Sequence, residues 1–502
     1  MTSLEGLAVF AAYTFAVLFL TGPTFAFEEN RSRFYLGNRR TGTWMSMATF
    51  VATWMSAASL LGYTVWLAQD GYVAMAGSVN GWLLGLAPMP FLVARIRSIR
   101  ALSMPEWLGR RYGDPRLRTL AAAALLSAYT LYLVIQFRGF GSVVGQLLGI
   151  RHPVVAASLI YLFVVYTTFG GYPSVVRSDA LNLGIIVLGV TVAGIAAVAP
   201  WGGPSGLHRA LAARAPEALI SWRSLPDGIE VGAMMLAWGL GVASNPQYAI
   251  RIQAARTPEA AWRMLALSTV LIGWIYLLLT LFGLAGRLAA PGGTPDFPTL
   301  AALTAPGPGA LLLLLAVLAA AVSTANSQLL LAACSLCHDL GGLRRDSGGR
   351  GAAVRVHPPL EPSSGKPRFE PPSGGIRDPF REDRFLFLNR AAVVGIATAA
   401  LALSLLPLPG ILVLGRMSWT VVALCFFLPL YAPSRAKGRG LFLASSVALA
   451  LHTLLISAGL SPEIALLFAL PVEATLWGIL ARRSGSERTV DSAASAGKGA
   501  GS

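Results

Sequence analysis

Apolar residues arrive along this chain in blocks of roughly twenty or more, separated by short polar punctuation. About 20 residues of helix are what a hydrocarbon core of about 30 Å demands. Thirteen such blocks are read, at 5–26, 43–69, 71–94, 119–150, 153–171, 181–200, 229–249, 264–286, 309–339, 386–407, 410–431, 440–460 and 463–481. Helix is the spanning element, because a stretch such as LLLLLAVLAAAV (311–322) lacks the alternation of a lipid-facing barrel strand. The first block has no basic residue before it and no small-x-small cleavage site, so it reads as a membrane helix and not as a leader.

Three blocks are interrupted by polar and small residues, and broken helices free carbonyls and amides that can hold an ion or a solute near the bilayer midplane. In TWMSAASLLGYT (53–64), Ser56, Ser59 and Gly62 interrupt the second block. In MLAWGLGVASNPQYAIRI (235–252), Gly239, Gly241, Ser244, Asn245 and Pro246 fall close together in the seventh. Two broken helices, five blocks apart, are what a five-plus-five inverted repeat produces. In the ninth block, AAVSTANSQLLLAACSLCHDL (320–340), Ala320, Ser323 and Thr324 share one helical face at i, i+3 and i+4. Two hydroxyls and a carbonyl suit a hard monovalent cation, with further carbonyls supplied by the broken second block. The plain alternative is that both hydroxyls bond back to carbonyls one turn earlier in their own helix.

Composition agrees with a membrane chain: 502 residues, 55% hydrophobic, 12% charged, mean hydropathy +0.62. Soluble chains carry about 25% charged residues. The net charge of +16 is unevenly placed, with 32 of the 39 basic residues in alternate connections, from Arg31 through Arg95–Arg118, Arg251–Arg263 and Arg344–Arg390 to the C-terminal tail. That asymmetry follows the positive-inside rule, placing the N-terminus outside and the C-terminus in the cytoplasm of an inner (cell) membrane, with the lipid bilayer and not nucleic acid as partner. CSLCH (334–338) spells a haem-attachment pattern, but it lies at the cytoplasmic end of the ninth block, where c-type haem is not attached, so no haem is expected. The five histidines are scattered and there is no Walker A motif, which excludes a membrane-embedded enzyme and ATP-driven transport by this chain alone. Residues 341–384 and the tail after Arg483 are too poor in apolar residues to repay ordering.

The segments SAASLLGY (56–63), SMPEWLGRRYGD (103–114), YTTFGGYPSVVRSDALN (166–182), WGLGVASNPQYAIR (238–251) and AAVSTANSQLL (320–330) resemble, in order, the sodium/solute symporters that include the sodium/proline, sodium/pantothenate and sodium/galactose carriers. The resemblance implies an all-α integral membrane fold of about 13 transmembrane helices with a LeuT-type core. Residues 1–42 hold an extra helix and first cytoplasmic loop, and 43–431 the core, as repeats 43–200 and 229–431 with a cytoplasmic insertion at 341–384. Two further helices (432–481) and a disordered tail (482–502) follow. It implies a sodium site made by the carbonyls of Ala52, Met55 and Ala320 and the hydroxyls of Ser323 and Thr324, and an acidic residue, Asp179, in a cytoplasmic loop on the ion release path. Against the proline carriers, Tyr132, Trp238 and Pro246 fall on substrate-region positions, joined by Ser56 and Ser59 at the break. Trp54 stands where those carriers have Asp.

Arg138, well inside the fourth block, is the candidate partner for a solute carboxylate, since a membrane-buried Arg is a functional hypothesis by default. Arg416 is a second. The expected activity is sodium-coupled symport of a small organic solute, an amino acid such as proline or a carboxylate such as pantothenate or a monocarboxylate, with sodium the coupling ion and no cofactor. A transporter-like sensor and a proton-coupled symporter are the alternatives.

Overall fold

Broken and glycine-kinked helices place the site, and the computed structural model shows how each break arises. It describes residues 3–25, 30–220, 222, 224–290, 296–341, 379–432 and 438–498, the side chains of Ser3, 379–383 and 482–498 excepted. Among the described residues the elements are helical, with one isolated bridge between Thr41 and Ala255. The long elements are α1 (Ser3–Thr21), α2 (Thr43–Trp54), α3 (Ala58–Asp70), α4 (Tyr72–Leu86), α5 (Met89–Arg97), α6 (Met104–Tyr112), α7 (Pro115–Leu148) and α8 (Tyr161–Val198). After them come α9 (Leu225–Ser244), α10 (Pro246–Ala254), α11 (Pro258–Ala289), α12 (Pro308–Leu340), α13 (Pro379–Ser404), α14 (Ile411–Tyr431), α15 (Gly438–Ser457) and α16 (Pro462–Lys498).

Nine described helices are long and apolar enough to cross a membrane, or eleven if the bent pairs α2–α3 (57°) and α4–α5 (43°) each count as one span. Apart from the fifth and sixth, each predicted block overlaps a helix or a broken pair, so thirteen spans are expected where nine to eleven described segments pass this test. The fifth and sixth blocks run together into α8, whose backbone reverses at Gly171 (φ 54°, ψ −146°). Ser174 Oγ donates to Tyr166 O at 2.9 Å, eight residues back, a distance a straight helix of 1.5 Å rise does not allow. Only glycine fits there: an added Cβ would lie 2.6 Å from Phe34 O.

This one-residue reversal corrects the expected loop around Asp179. Pro173 opens the returning helix at once, and Asp179 is buried inside it, with no exposed surface. Two further differences concern the expected unstructured stretches. Helix α13 begins at Pro379, inside the predicted insertion, whose residues 342–378 lie outside the described ones. The backbone of α16 continues to Lys498 where a disordered tail is expected: after Pro471 no proline interrupts the segment, and extending an existing helix costs less than nucleating one.

At the arginine-rich end, SMPEWLGRRYGD folds as a capped helix and turn. Ser103 Oγ accepts from Glu106 N at 3.0 Å, Gly113 closes α6 in the left-handed region, and Asp114 accepts from Arg116 N at the start of α7. Glu106 also lies 2.5 Å from Arg110 and 3.1 Å from His338, while Arg118 and Ser103 hold Asp339. Burial pushes the Glu106 carboxyl up, but His338, Arg110 and the Leu102 amide outweigh it and hold it at about 2. The end of α12 is thereby fastened to α6.

Candidate ion and solute site

Helix α12 is buried on every side from Ala316 to Cys334, as expected for a helix apolar all round. Its small residues let the end of α2 approach. Helix α2 stops at Trp54 because Met55 turns extended (φ −73°, ψ 114°), so the last-turn carbonyls lose their partners four residues on. Those carbonyls face the α12 hydroxyls. Ser323 Oγ donates to Ala52 O at 2.8 Å and sits 3.0 Å from Ala320 O, and Thr324 Oγ1 lies 3.0 Å from Met55 O and 3.2 Å from Thr53 O.

All five sequence-predicted ion-site residues therefore meet in one buried cluster. The hydroxyls reach across to the broken helix as well as back along their own, so back-bonding alone does not describe them. Four carbonyls share two hydroxyl protons, an excess of acceptors that a cation between them would satisfy. The donors are hard and neutral, and among the described residues no carboxylate joins them, which fits a monovalent ion better than calcium or a transition metal.

One turn towards the arginine-rich end lies a second polar cluster. Arg251 is 1% exposed; its guanidinium donates to Thr49 O (3.1 Å), Gln247 O (2.6 Å), Ser327 Oγ (2.7 Å) and the Thr53 hydroxyl, with Asp179 Oδ2 at 3.7 Å. Thr49 donates to the same carboxylate at 2.6 Å. The charge pattern counts Arg251 among solvated cytoplasmic arginines, and the structure corrects this. Pro246 restarts the chain as α10 after Asn245, so Arg251 falls inside a helix packed on α2. The signal that could have found it is an arginine only five residues beyond a proline that opens a helix.

On the other side of the break, Ser56 lies 3.1 Å from the Tyr132 hydroxyl and 3.3 Å from Ser59, which accepts from Tyr276 at 3.3 Å. Trp54 donates to the Tyr276 hydroxyl at 3.1 Å and stacks on Tyr248, ring centres 4.7 Å apart. Trp238 packs against Trp82 and Trp419, and Tyr132 against Trp419. The Trp238 indole N–H is buried without a hydrogen-bond partner among the described residues. Of the sequence-predicted solute residues, Ser56, Ser59, Tyr132 and Trp238 lie in this cluster; Trp82, Tyr276 and Trp419 join them without having been singled out, because an aromatic inside an apolar block carries no local signal. Pro246 shapes the second break: its ring removes an N–H, Asn245 turns extended before it, and Asn245 Oδ1 caps Gln247 N at 3.0 Å.

Arg138 is not with them. Its guanidinium is engaged by the carbonyls of Ser404, Leu406, Leu408 and Pro409, which corrects the expectation that it faces the solute. Tyr132 and Gln136 share one face of α7, and Arg138, two residues beyond Gln136, points away from it by more than about 100° of helix rotation. Arg416 is likewise spent, on Glu463 at 2.6 Å.

The likenesses to known proteins agree with this geometry. Over 320 residues the chain is 29% identical to the sodium/pantothenate symporter of Escherichia coli (strain K12), which covers 62% of this chain and 66% of that protein. Over 344 residues it is 27% identical to the sodium/pantothenate symporter of Haemophilus influenzae, covering 66% and 69%. The fold matches a sodium-coupled sialic acid symporter solved in a substrate-bound outward-open state, with TM-score 0.75 over 95% of this chain and 97% of that one at 18% identity. It also matches Mhp1, a nucleobase-cation-symport-1 family transporter in a closed conformation, with TM-score 0.56 over 91% and 95% at 14% identity. These show a multi-pass membrane protein of the LeuT-type fold. The profile described as the sodium:solute symporter family matches residues 34–348, which takes in both broken helices and the α12 hydroxyls, and the chain belongs to that family.

Proposed function

We propose that the chain couples the movement of sodium to that of a small organic solute by alternating access, with sodium held by Ala52, Met55, Ala320, Ser323 and Thr324. The observation that carries this is the acceptor-rich cluster joining α12 to the break after α2. Sodium there would draw Ser323 and Thr324 to the broken helix and so fix the orientation of Ser56 and Ser59, a few residues on. Asp179, one turn away and paired with Arg251, is the first carboxylate an ion would meet on leaving towards the arginine-rich side. That side is the cytoplasm by the distribution of basic residues, and 43–431 forms the moving core.

Ser56, Ser59, Tyr132 and Trp238 line the solute pocket, with Pro246 setting the bend behind it. The polar atoms offered by these residues and by Tyr276 are neutral, and Arg138 and Arg416 are engaged elsewhere. A solute carboxylate would therefore find its counter-charge in the bound sodium, which makes the ion a condition of tight solute binding. The proposed solute is a small organic carboxylate, with pantothenate and short monocarboxylates as the candidates, whose remaining polar groups the neutral hydroxyls of Ser56, Ser59, Tyr132 and Tyr276 would meet.

The test is uptake by proteoliposomes of radiolabelled pantothenate, proline and a short monocarboxylate under an inward sodium gradient. Concentrative uptake of a carboxylate that a sodium ionophore abolishes supports the proposal. Uptake driven equally by a proton gradient with sodium absent would overturn the coupling.

A further inference from the structure

Having left the pocket, Arg138 does something else. Its own helix is fixed at the break: the neighbouring Gly139 lets α7 come so close that an added Cβ would stand 2.5 Å from the Ala57 Cβ, and Gln136 accepts from Ala57 N at 3.1 Å. From there the guanidinium reaches the connection between α13 and α14. Nε donates to Ser404 O at 3.1 Å, Nη1 to Leu408 O and Pro409 O at 3.3 and 3.0 Å, and Nη2 to Leu406 O at 2.6 Å. The connection's other backbone bonds are local turns, Leu405 N donating to Ala402 O, Leu406 N to Leu403 O and Leu408 N to Leu406 O. Pro407 and Pro409 have no N–H to give. Leu405 and Leu406 are half exposed, at 48% and 49%.

What this connection carries is the end of α14 that covers the aromatic cluster. Ile411 and Leu412 lie on Gly62, where an added Cβ would come within 3.0 Å of Leu412. Gly415 faces the Trp238 and Tyr132 rings, and Trp419 follows one turn deeper. For a solute to reach Tyr132 and Trp238 from this side, the cover has to move, and its carbonyl bonds converge on one side chain. A single rigid fork makes or loses such bonds together, giving the cover two states in place of a gradual fraying.

We propose that Arg138 is a positioning residue that latches a lid, residues 404–415, over the pocket on the side away from the arginine-rich connections. It acts through α14 and does not touch the solute. The inference rests on the pocket reading above only for its consequence on transport, because the lid can be tested with no solute and no sodium gradient.

The test replaces Cys334, Cys337 and Cys425 with alanine, introduces Ser59→Cys beneath the lid, and measures labelling by a membrane-impermeant maleimide in intact cells and in inside-out vesicles. If the closed lid opens about 1% of the time, Arg138→Gln should raise the labelling rate about tenfold from the lid side and leave it unchanged from the other. Arg138→Lys, which keeps the charge and part of the donor set, should fall between. An unchanged rate, or an equal rise from both sides, would overturn the latch, the second outcome marking general loosening of the helices. Should Arg138→Gln fail to reach the membrane folded, the lysine variant carries the same test, and a lid-side rate equal to that of the parent would sink the proposal. Failure of uptake with normal one-sided labelling would count against the solute reading and not against the lid.

Discussion

Trp238 shows what a single side chain reports about the pocket. Its indole is buried with an N–H that has no partner among the described residues, wedged between Trp82 and Trp419. A buried unsatisfied donor is costly unless something pairs with it for part of the cycle. Trp238→Ala should therefore raise the solute concentration for half-maximal uptake by about tenfold or more, the worth of one hydrogen bond and its packing. Sodium binding measured without solute should be little changed; an unaltered half-maximal concentration would remove Trp238 from the pocket. Ser327 gives the contrasting case. Its hydroxyl accepts from Arg251 and lies 3.0 Å from the Thr53 hydroxyl, off the cation cluster. Ser327→Ala should move the sodium dependence of uptake much less than loss of Ser323 or Thr324, and an equal shift would mean that the two clusters act as one. At this scale the sequence was informative where spacing and a break coincide, as at Ala320, Ser323 and Thr324. It misled where an arginine could be either pocket-facing or structural. Nothing in the one-dimensional pattern says that Arg138 points to carbonyls 266 to 271 residues away, or that Arg251 pairs with Asp179.

The elements themselves were largely readable, because membrane helices announce themselves by length and apolarity, and Gly, Ser, Asn and Pro mark where they break. The tightness of the reversal at Gly171 was not: the polar stretch between the blocks ending at 171 and resuming at 181 reads as a loop around Asp179, yet a single positive-φ residue makes the turn and the chain is helical again from Pro173. Gly171→Ala is expected to be severe, with the strain of a glycine-only conformation, about 1–3 kcal/mol, added to a 2.6 Å approach to Phe34 O. The measurement is the thermal unfolding midpoint in detergent, and a variant as stable as the parent would contradict the reversal. The fastening of α6 to α12 makes a prediction in pH. Glu106 has its carboxyl held at about 2 against an ordinary 4.5, so its contribution is present above about 4.5 and is lost as pH falls through about 2. Glu106→Gln should thus be destabilised at pH 7 by on the order of 3 kcal/mol. That gap should narrow between about pH 4.5 and 2. A constant gap over that range would show that the carboxylate charge is not what holds His338 and Arg110.

For the whole molecule, α2 before its break and α10 after the break at Asn245 both pack on α12, and each polar cluster draws on both α2 and α12. The α2 carbonyls and α12 hydroxyls form one cluster, and the Arg251–Asp179 group forms the next, adding α8 and α10. An ion bound in the first would tie α2 to α12 and reshape the break that carries Ser56. Coupling of ion and solute then follows from shared structure, and is reciprocal. The direct measurement is a sodium titration of the thermal stability of the purified parent, Ser323→Ala and Thr324→Ala, at constant ionic strength with potassium as the balancing ion. An ion that binds only the folded chain stabilises it by about 2.7 kcal/mol at 100 times its dissociation constant. A hydroxyl ligand to a charge is worth about 1.5–3 kcal/mol. Each variant should accordingly need on the order of 10- to 150-fold more sodium for the same rise in unfolding temperature. Superimposable sodium curves for the parent and both variants would contradict the ion site.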